Sequence, residues 1–578
     1  MAARLTAYVV ATIVGATLIA GLIVGAQRDE VGPVDLIIVN GHVYTGQPDD
    51  RFAEAVAIQG NKILAVGSNA EIRRLRRAQT EVIDADGGSV LPGFDDAHVH
   101  FLSGGLGLTG VDLSEAATAE AVAEAIGAWA GAHPDRAWVA GRGWYYDAFP
   151  GGMPTRQALD AVVPDRPAYL EAFDGHTAWV NSAALAAAGI TRRTPNPPNG
   201  IIGRDPRSGE PSGVLKEAAM GLVERRMPAP SADEKLDALR AAIRQANRLG
   251  VTSVQNASGT ADELELYDAL RRSGELSVRV YAALSADGSL DEKTLARFDA
   301  LRRRFPDDPL FKTGSIKLIL DGVVESFTAA LLEPYATNPR ESGTPTMTPA
   351  TLQRIVRLLD RDGWQILIHA IGDRSVRMAL DAYEQAAAAN PAPPRGRRHR
   401  IEHIETLDPA DIPRFAELGV VASMQPYHAV PVVGPSDVWT ANLGPERARR
   451  GWMFETLRTS GARLAFGSDW PVATLDPLPG LHVAVNRTTL EGLPDGGLVP
   501  EERLALAAAI DASTRNAAWA SFDEHRKGVL DRDMLADVVI LTEDIFDLPP
   551  ERLTDAVVRT TIFDGKVVYE RSSDSTTH

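Results

Sequence analysis

Residues 91–102 read LPGFDDAHVHFL, and this stretch decides the fold because an apolar, strand-like run ends in it on two histidines. His98 and His100 are two positions apart, so in a strand both side chains project from the same face. Both imidazoles can then reach one metal ion. Two nitrogen ligands do not complete a metal site, so the chain must supply further ligands downstream.

Four downstream side chains occupy the same kind of position, at the end of a short apolar run and before a loop. They are Lys317 in TGSIKLILDG, His369 in WQILIHAIGD, His403 in HRIEHIE and Asp469 in LAFGSDWP. If these runs are parallel strands of one barrel, the side chains converge at the carboxyl ends, where barrel enzymes carry their chemistry. Taken singly, each has an ordinary interpretation: a His-x-His pair is more often structural, and Lys317 fits an ion-paired lysine.

Eight apolar runs separated mostly by helical segments predict an α/β fold, a parallel (β/α)8 TIM barrel over residues 93–520. The first run precedes His98, and the others are VTSVQN, LSVRVYAAL, GSIKLIL, WQILIHA, HRIEHIE, GVVASMQ and RLAFGSD.

Two β-rich segments flank the barrel, at residues 31–92 and 521–572. Turn residues between alternating runs predict hairpins in both. These turns are Asn40-Gly41, Gly60-Asn61 and Asp564-Gly565. We therefore expect one small β-sandwich built from both termini, with residues 573–578 as a tail.

Residues 101–230 depart from the strand–helix alternation and predict an insertion after the first strand that folds over the barrel mouth. Its segments GRGWYY and DGHTAWVNS mix polar and aromatic groups, as substrate pockets do. Trp144 and His176 are therefore candidate substrate-binding residues. A core position fits Trp144 equally well, and a core or capping role fits His176.

The composition is that of a globular protein, with 44% hydrophobic and 24% charged residues in 578. The net charge of -18 argues against nucleic acid as a partner, because a phosphate-binding surface needs the opposite sign. The chain has no cysteine, which excludes disulfides, thiolate zinc ligands and a cysteine nucleophile. A small-molecule substrate is the expected partner, and the sequence does not indicate an oligomeric state.

The N-terminal residues 1–30 contain an uncharged stretch, residues 5–26, that is long enough to cross a bilayer. It fits an uncleaved membrane anchor or a secretory signal with small residues at its end. We expect the catalytic domain to lie outside the cytoplasmic membrane, either anchored to it or secreted.

The phrases LPGFDDAHVH, KLILDG, HAIGD, RIEHIE, SMQPYH and FGSDWPV together resemble the metal-dependent amidohydrolase superfamily. They are most similar to its family 3 branch, the YtcJ-like proteins that include N-substituted formamide deformylases. The resemblance runs from about residue 34 to residue 569. It implies a barrel hydrolase that uses one or two divalent metal ions, with Zn²⁺ favoured by the imidazole and oxygen donors.

The resemblance also implies a role for each candidate ligand. His98 and His100 with Asp469 would hold one metal, and His369 with His403 the other. Lys317 occupies the position of a lysine that the family carboxylates with CO2, so that a carbamate bridges the two metals. Asp321 and Glu325 stand close by in sequence as alternative ligands.

This constellation predicts hydrolysis of a non-peptide C–N bond in an amide-like substrate. Metals lower the pKa of a bound water to about 7, and Asp469 is placed to take its proton and pass it to the leaving nitrogen. His176 and Gln425 are candidates for holding the carbonyl oxygen. The same architecture also hosts deaminases and hydrolases of lactones, carbamates and esters. A non-catalytic, membrane-tethered metal-binding protein is the alternative from another class, and it would have no need of Asp469.

Overall fold

The computed structural model describes residues 34–49, 51–113, 116–149, 152–173, 175, 177–197, 200–430 and 438–572. The predicted anchor or signal segment, His176 and the tail lie outside the described residues. Within the described ranges, no helix is both long and apolar enough to cross a membrane.

A parallel barrel sheet forms the centre of the molecule, which confirms the predicted fold class. The described residues contribute eight strands to it, each hydrogen-bonded to the next in chain order. Nearly every strand residue is buried, as expected of a parallel sheet covered on its outer face by helices. We call these barrel strands 1 to 8: Phe94–Val99, Val251–Gly259, Arg279–Ser285, Phe311–Ile319, Gln365–Ala370, Arg400–His403, Val421–Met424 and Arg463–Phe466.

The barrel closes where strands 8 and 1 meet, at the end that carries the predicted ligands. The Asp469 amide donates to the His98 carbonyl at 2.7 Å, and the His100 amide donates to the Trp470 carbonyl at 2.8 Å. Gly467 permits this approach, because a Cβ there would lie 2.3 Å from the His98 amide nitrogen. The seam therefore joins the HVH and GSD segments directly.

Helices follow the strands, and many begin with a side-chain cap. At Ser231 the cap is reciprocal: its hydroxyl accepts from the Glu234 amide, and the Glu234 carboxylate accepts from the Ser231 amide. The helices of the barrel region are Phe101–Leu108, Ala232–Arg248, Ala261–Ser273, Glu292–Arg304, Pro349–Arg361, Asp373–Ala389, Ile412–Leu418, Val438–Leu443, Pro445–Ala448, Phe454–Thr459, Pro477–Asn486, Leu506–Ala512 and Arg515–Ala520. Short 3-10 helices occupy Tyr146–Ala148, Pro409–Asp411, Pro426–Ala429, Pro500–Glu502 and Pro550–Asp555.

Strands from both ends of the chain form two further sheets beside the barrel. One contains Lys62–Gly67, Ala55–Gln59, Leu36–Val39 and Glu81–Asp84, in that spatial order, and the helix Asn69–Leu75 accompanies it. The other contains Lys566–Glu570, Val558–Phe563, Val538–Leu541, Ser89–Pro92, His42–Tyr44 and Phe52–Ala53. Apolar side chains of N-terminal and C-terminal residues, such as Ile38 and Val538, share one core.

The insertion after strand 1 forms a sheet of its own, which the sequence analysis did not predict. Its strands, in spatial order, are Gly200–Arg204, Pro211–Glu217, Thr177–Val180, Ala168–Ala172, Val139–Trp144 and Val111–Asp112. Its helices are Ala119–Ala132, Arg156–Val162, Ser182–Ala187 and Gly221–Glu224. Two separate apolar clusters lie within this unit, so it is a folded module and not a long loop.

Candidate active site

His98 and His100 leave the end of barrel strand 1 toward the barrel interior. The His98 side chain is fully buried, and its Nδ1 lies 2.6 Å from Glu402 Oε2. The His100 side chain is 28% exposed, and its Nδ1 lies 2.8 Å from Ser258 Oγ. In both residues these contacts at Nδ1 leave Nε2 directed toward Asp469.

Asp469 follows barrel strand 8 with a left-handed backbone, φ 60°. Its Oδ1 lies 3.1 Å from His100 Nε2 and 3.3 Å from His98 Nε2. The Asp469 side chain is buried. Burial alone raises the pKa of Asp469, but the imidazoles of His100 and His98 outweigh it and hold that pKa well below the usual carboxyl range.

Lys317, His369 and His403 complete the cluster from barrel strands 4, 5 and 6. Lys317 Nζ lies 3.3 Å from His98 Nε2. The His403 ring centroid is 4.9 Å from that of His98 and 4.4 Å from that of His369. The structure thus brings together all six side chains proposed as metal ligands, and their roles as ligands stay predictions.

The cluster fits a divalent cation. Ligand atoms of His98, His403 and Asp469 lie within 4.8 Å of one another. Burial lowers the pKa of His369 to about 3 and that of His403 well below its usual value, so both rings are neutral. Neutral imidazoles offer the lone pair that a metal needs, and His369 Nε2 has no hydrogen-bond partner in the described part of the chain.

A buried ionic network beneath the cluster was missed by the sequence analysis. Glu402 accepts from Arg400 at 2.8 Å through Nε and at 3.0 Å through Nη2, while it also contacts His98. Arg400 further donates to Gln255 Oε1 at 2.5 Å and to Ser423 Oγ at 2.8 Å. The charges of Arg400 and His98 outweigh burial and hold the pKa of Glu402 well below normal. The only sequence signal was the alternation of RIEH, which places Arg400 and Glu402 on one face.

The two alternative ligands occupy different environments. Asp321 is buried, and it accepts from the amides of Ile371, Gly372 and Ala330 at 2.9–3.0 Å. Burial raises its pKa to about 6. The bonds from Ile371 and Gly372 hold the loop after His369 in place, and Asp321 Oδ1 lies 3.7 Å from His369 Nε2. The Glu325 side chain is exposed.

The structure describes two of the three predicted substrate-binding residues, Gln425 and Trp144. Gln425 is buried, and both atoms of its amide lack a hydrogen-bond partner among the described residues. Trp144 is corrected to a core residue: it is fully buried in the insertion, and its indole N–H donates to the Leu170 carbonyl at 2.9 Å. An aromatic side chain on a strand of a folded module packs inward as readily as it lines a pocket. The third candidate, His176, lies outside the described residues.

His428 is a further polar group that the sequence analysis missed, although it had quoted the phrase SMQPYH. It lies three residues after Gln425, in the 3-10 helix Pro426–Ala429. Its Nε2 is buried without a hydrogen-bond partner in the described ranges. Burial lowers the pKa of His428, and the charges of Asp469 and His98 act on it directly. His428 thus follows barrel strand 7 at its carboxyl end, the end that carries the ligand cluster.

The fold and the ligand cluster define a barrel protein of the metal-dependent hydrolase class. A model of the amidohydrolase family matches residues 81–569, and the chain belongs to that family.

Three relatives match this chain over most of its length. Protein LONG AFTER FAR-RED 3 of Arabidopsis thaliana is 34% identical over 93% of this chain and 91% of its own. The putative amidohydrolase YtcJ of Bacillus subtilis is 30% identical over 92% of this chain and 99% of the YtcJ chain. N-substituted formamide deformylase of Arthrobacter pascens is 28% identical over 93% of this chain and 99% of the deformylase chain. These findings confirm the resemblance found in the sequence.

A solved structure supports the fold. The crystal structure of an uncharacterized metal-dependent hydrolase from Pyrococcus furiosus has a TM-score of 0.70 with this chain at 27% identity. It covers 88% of this chain and 99% of its own. The two chains therefore share their fold over most of their lengths.

Proposed function

We propose that this protein hydrolyses the C–N bond of a small amide-like substrate, such as an N-formyl or N-acyl amine. The observation that carries the proposal is Asp469 Oδ1, a buried carboxylate oxygen that lies 3.1 Å from His100 Nε2 and 3.3 Å from His98 Nε2. A carboxylate among neutral imidazoles can both bind a cation and accept a proton, as a catalytic base at a metal centre must. The 28% identity to a formamide deformylase supports the amide class.

The ligand cluster would hold the cation through His98, His100 and Asp469, with His369 and His403 available to a second ion. When bound, the cation supplies the Lewis acidity that makes water nucleophilic at neutral pH. Asp469 accepts the proton of the attacking water and returns it to the nitrogen as the C–N bond breaks. Gln425 and His428 offer hydrogen-bonding groups for the polar end of the substrate, since these groups have no partner within the described ranges.

Lys317 would supply the bridge between two metal ions after reaction with CO2. Burial lowers the pKa of its ammonium, which favours the free amine that CO2 requires. The amine nitrogen bonds to the carbon of CO2 and loses a proton, and the product is a carbamate with two oxygen donors. An unmodified ammonium beside two cations would be repelled by them.

The test is metal analysis of the purified protein combined with a screen of N-formyl and N-acyl amines for release of free amine. We expect His98→Ala to lose bound metal and activity, and Lys317→Ala to lose the second metal while short carboxylic acids restore part of the activity. His133→Ala, in the insertion, is the matched control and should retain both metal and activity. Full metal content and activity in His98→Ala would overturn the proposed site, and a metal-loaded protein that cleaves no amide would overturn the amide class.

A further inference from the structure

His98 and His100 belong to one motif, but the groups that contact their Nδ1 atoms differ in chemistry. Glu402 Oε2 lies 2.6 Å from His98 Nδ1. The Ser258 hydroxyl lies 2.8 Å from His100 Nδ1. An ionised carboxylate can only accept a hydrogen bond, whereas a hydroxyl can donate or accept one. Glu402 therefore keeps a proton on His98 Nδ1, while Ser258 is compatible with a proton on either nitrogen of His100.

The other ring nitrogen of His100 faces an anion, because Asp469 Oδ1 lies 3.1 Å from His100 Nε2. Without a cation between them, this carboxylate favours a proton on Nε2, and Nδ1 then accepts from the Ser258 hydroxyl. With a cation bound, Nε2 must supply its lone pair, so the proton lies on Nδ1 and is donated to Ser258. The hydroxyl serves both states by changing from donor to acceptor.

Barrel strand 2 holds Ser258 in place through the buried side chain of Asn256. Asn256 Nδ2 donates to the Ser258 carbonyl at 3.0 Å and to Glu263 Oε1 at 3.0 Å. Asn256 Oδ1 accepts from the backbone amide of Phe101, the residue after His100, at 2.9 Å. One asparagine thus fixes both Ser258 and the segment that carries His100.

The end of barrel strand 2 is irregular and tightly packed where Ser258 occurs. Its pairing with barrel strand 3 shifts register between Asn256 and Gly259. Irregularities of this kind redirect side chains next to active sites. A Cβ at Gly259 would lie 2.9 Å from the Ala283 carbonyl oxygen and 3.2 Å from Asn256 Nδ2, so no larger residue fits there. The backbone that presents the Ser258 hydroxyl is therefore confined by its neighbours.

The two histidines also differ in their access to water. The side chains of His98 and Glu402 are both fully buried. The His100 side chain is 28% exposed, and Ser258 is half-buried. A charge-assisted hydrogen bond in the interior is stronger than a neutral one that water can replace. His98 is therefore held more firmly than His100.

We infer that Ser258 is a positioning residue that lets His100 exchange between two partners, a metal ion and Asp469, while Glu402 fixes His98 as a permanent ligand. This inference rests on the proposed function, because it requires the metal centre, and it names the exchangeable ligand. As the cation binds, His100 loses the proton on Nε2 and gains one on Nδ1, so its charge does not change. His100 can then release the metal and still donate to the Asp469 carboxylate.

The first test is ¹⁵N NMR of the histidine-labelled full-length chain, treated with a chelator and then titrated with Zn²⁺. Couplings between the ring nitrogens and the ring protons show which nitrogen is protonated, and His100→Gln identifies the His100 signals. We expect the His100 proton to move from Nε2 to Nδ1 when Zn²⁺ is added, and His98 Nδ1 to stay protonated throughout. A His100 ring with the same protonated nitrogen before and after Zn²⁺ binding would overturn the inference.

The second test is Zn²⁺ affinity, measured by competition with a chromophoric chelator. We expect Ser258→Ala to weaken binding about tenfold, and Ser258→Thr to keep the native affinity because the hydroxyl is retained. Ser277→Ala is the matched control: Ser277 is half-buried near the amino end of barrel strand 3, and its hydroxyl accepts from Asn247 Nδ2 at 2.7 Å. Equal affinity in Ser258→Ala and Ser277→Ala would show that Ser258 does not position His100.

The outcomes separate the inference from the proposed function. If the native chain binds no Zn²⁺, the proposed metal centre and the inference fail together. If Zn²⁺ binds but the proton of His100 stays on one nitrogen, only the inference is overturned. If the proton moves and no amide is cleaved, the amide class fails and the inference stands. The NMR test uses the native chain, so it decides the inference even if Ser258→Ala does not fold.

Discussion

Glu402 is the residue that fixes how His98 presents its nitrogen to a metal. Its carboxylate lies 2.6 Å from His98 Nδ1, so that Nε2 carries the free lone pair. In Glu402→Gln the anionic partner is lost, and the buried Arg400 loses its counter-charge. We expect metal affinity to fall by about 10- to 100-fold. A metal titration checks this against Glu81→Gln, an exposed carboxylate in a terminal sheet; equal affinity in the two variants would show that Glu402 does not orient His98.

At the residue scale, the clustered side chains could be predicted from the sequence, whereas the role of Glu402 could not. The six clustered side chains were predictable, because each follows an apolar run that ends at the same rim of the barrel. Glu402 was not, because Glu402 and His403 are neighbours and strict alternation would direct them to opposite faces of the strand. The structure directs both inward, since His403 has a left-handed backbone with φ 77°. Such a conformation is unusual for a residue other than glycine, and no pattern in HRIEHIE predicts it.

At the scale of elements, the eight barrel strands were predicted because parallel strands are continuous apolar runs. The insertion was harder to predict from the sequence, because its aromatic residues divide between core and surface. Trp144 and Tyr145 are adjacent in one apolar stretch, yet the first is fully buried and the second is 40% exposed. Only the three-dimensional packing distinguishes them.

Helix Ala261–Ser273 is attached to barrel strand 2 through Glu263, and this attachment depends on pH. The Glu263 carboxylate accepts from Asn256 Nδ2 at 3.0 Å and from the Tyr267 hydroxyl at 2.8 Å. Burial raises the pKa of Glu263 from 4.5 to about 7. Because the folded state holds the proton more tightly than the unfolded state, the contribution of Glu263 to stability is fully present below pH 4.5 and is lost as the pH rises through 7.

We therefore expect Glu263→Gln to be more stable than the native chain at pH 8, by on the order of 3 kcal/mol, and to match it near pH 4.5. The amide stays uncharged at both pH values and keeps an oxygen that can accept hydrogen bonds. Urea unfolding at the two pH values measures the difference. Asp262→Asn, exposed on the same helix, is the control, and a pH-independent gap between native chain and Glu263→Gln would contradict the assignment.

At the scale of the whole molecule, the C-terminal part of the chain seals the amino end of the barrel, opposite the ligand cluster. Gln255 and Gln365 point down the barrel and donate to the carbonyls of Ala517 and Ala520, both at 2.8 Å. The sequence predicts that Ala517 and Ala520 lie near the end of the barrel domain. It does not indicate that this segment closes the amino end of the barrel. The hydrogen-bond partners of polar residues inside a barrel can be assigned only when the fold is known.

The ion pair between Asp95 and Lys527 joins the C-terminal part of the chain to barrel strand 1, the strand that carries the two histidines. Lys527 Nζ lies 2.8 Å from Asp95 Oδ2, and both side chains are buried. Lys527→Met leaves a buried carboxylate without its cation, so we expect the free energy of unfolding to fall by about 3–5 kcal/mol. The double variant Asp95→Asn with Lys527→Met should recover much of that loss, because no uncompensated charge remains. Urea unfolding of both variants measures these changes, and Lys566→Met, at an exposed lysine, is the control. If Lys527→Met is as stable as that control, the ion pair adds nothing to barrel closure.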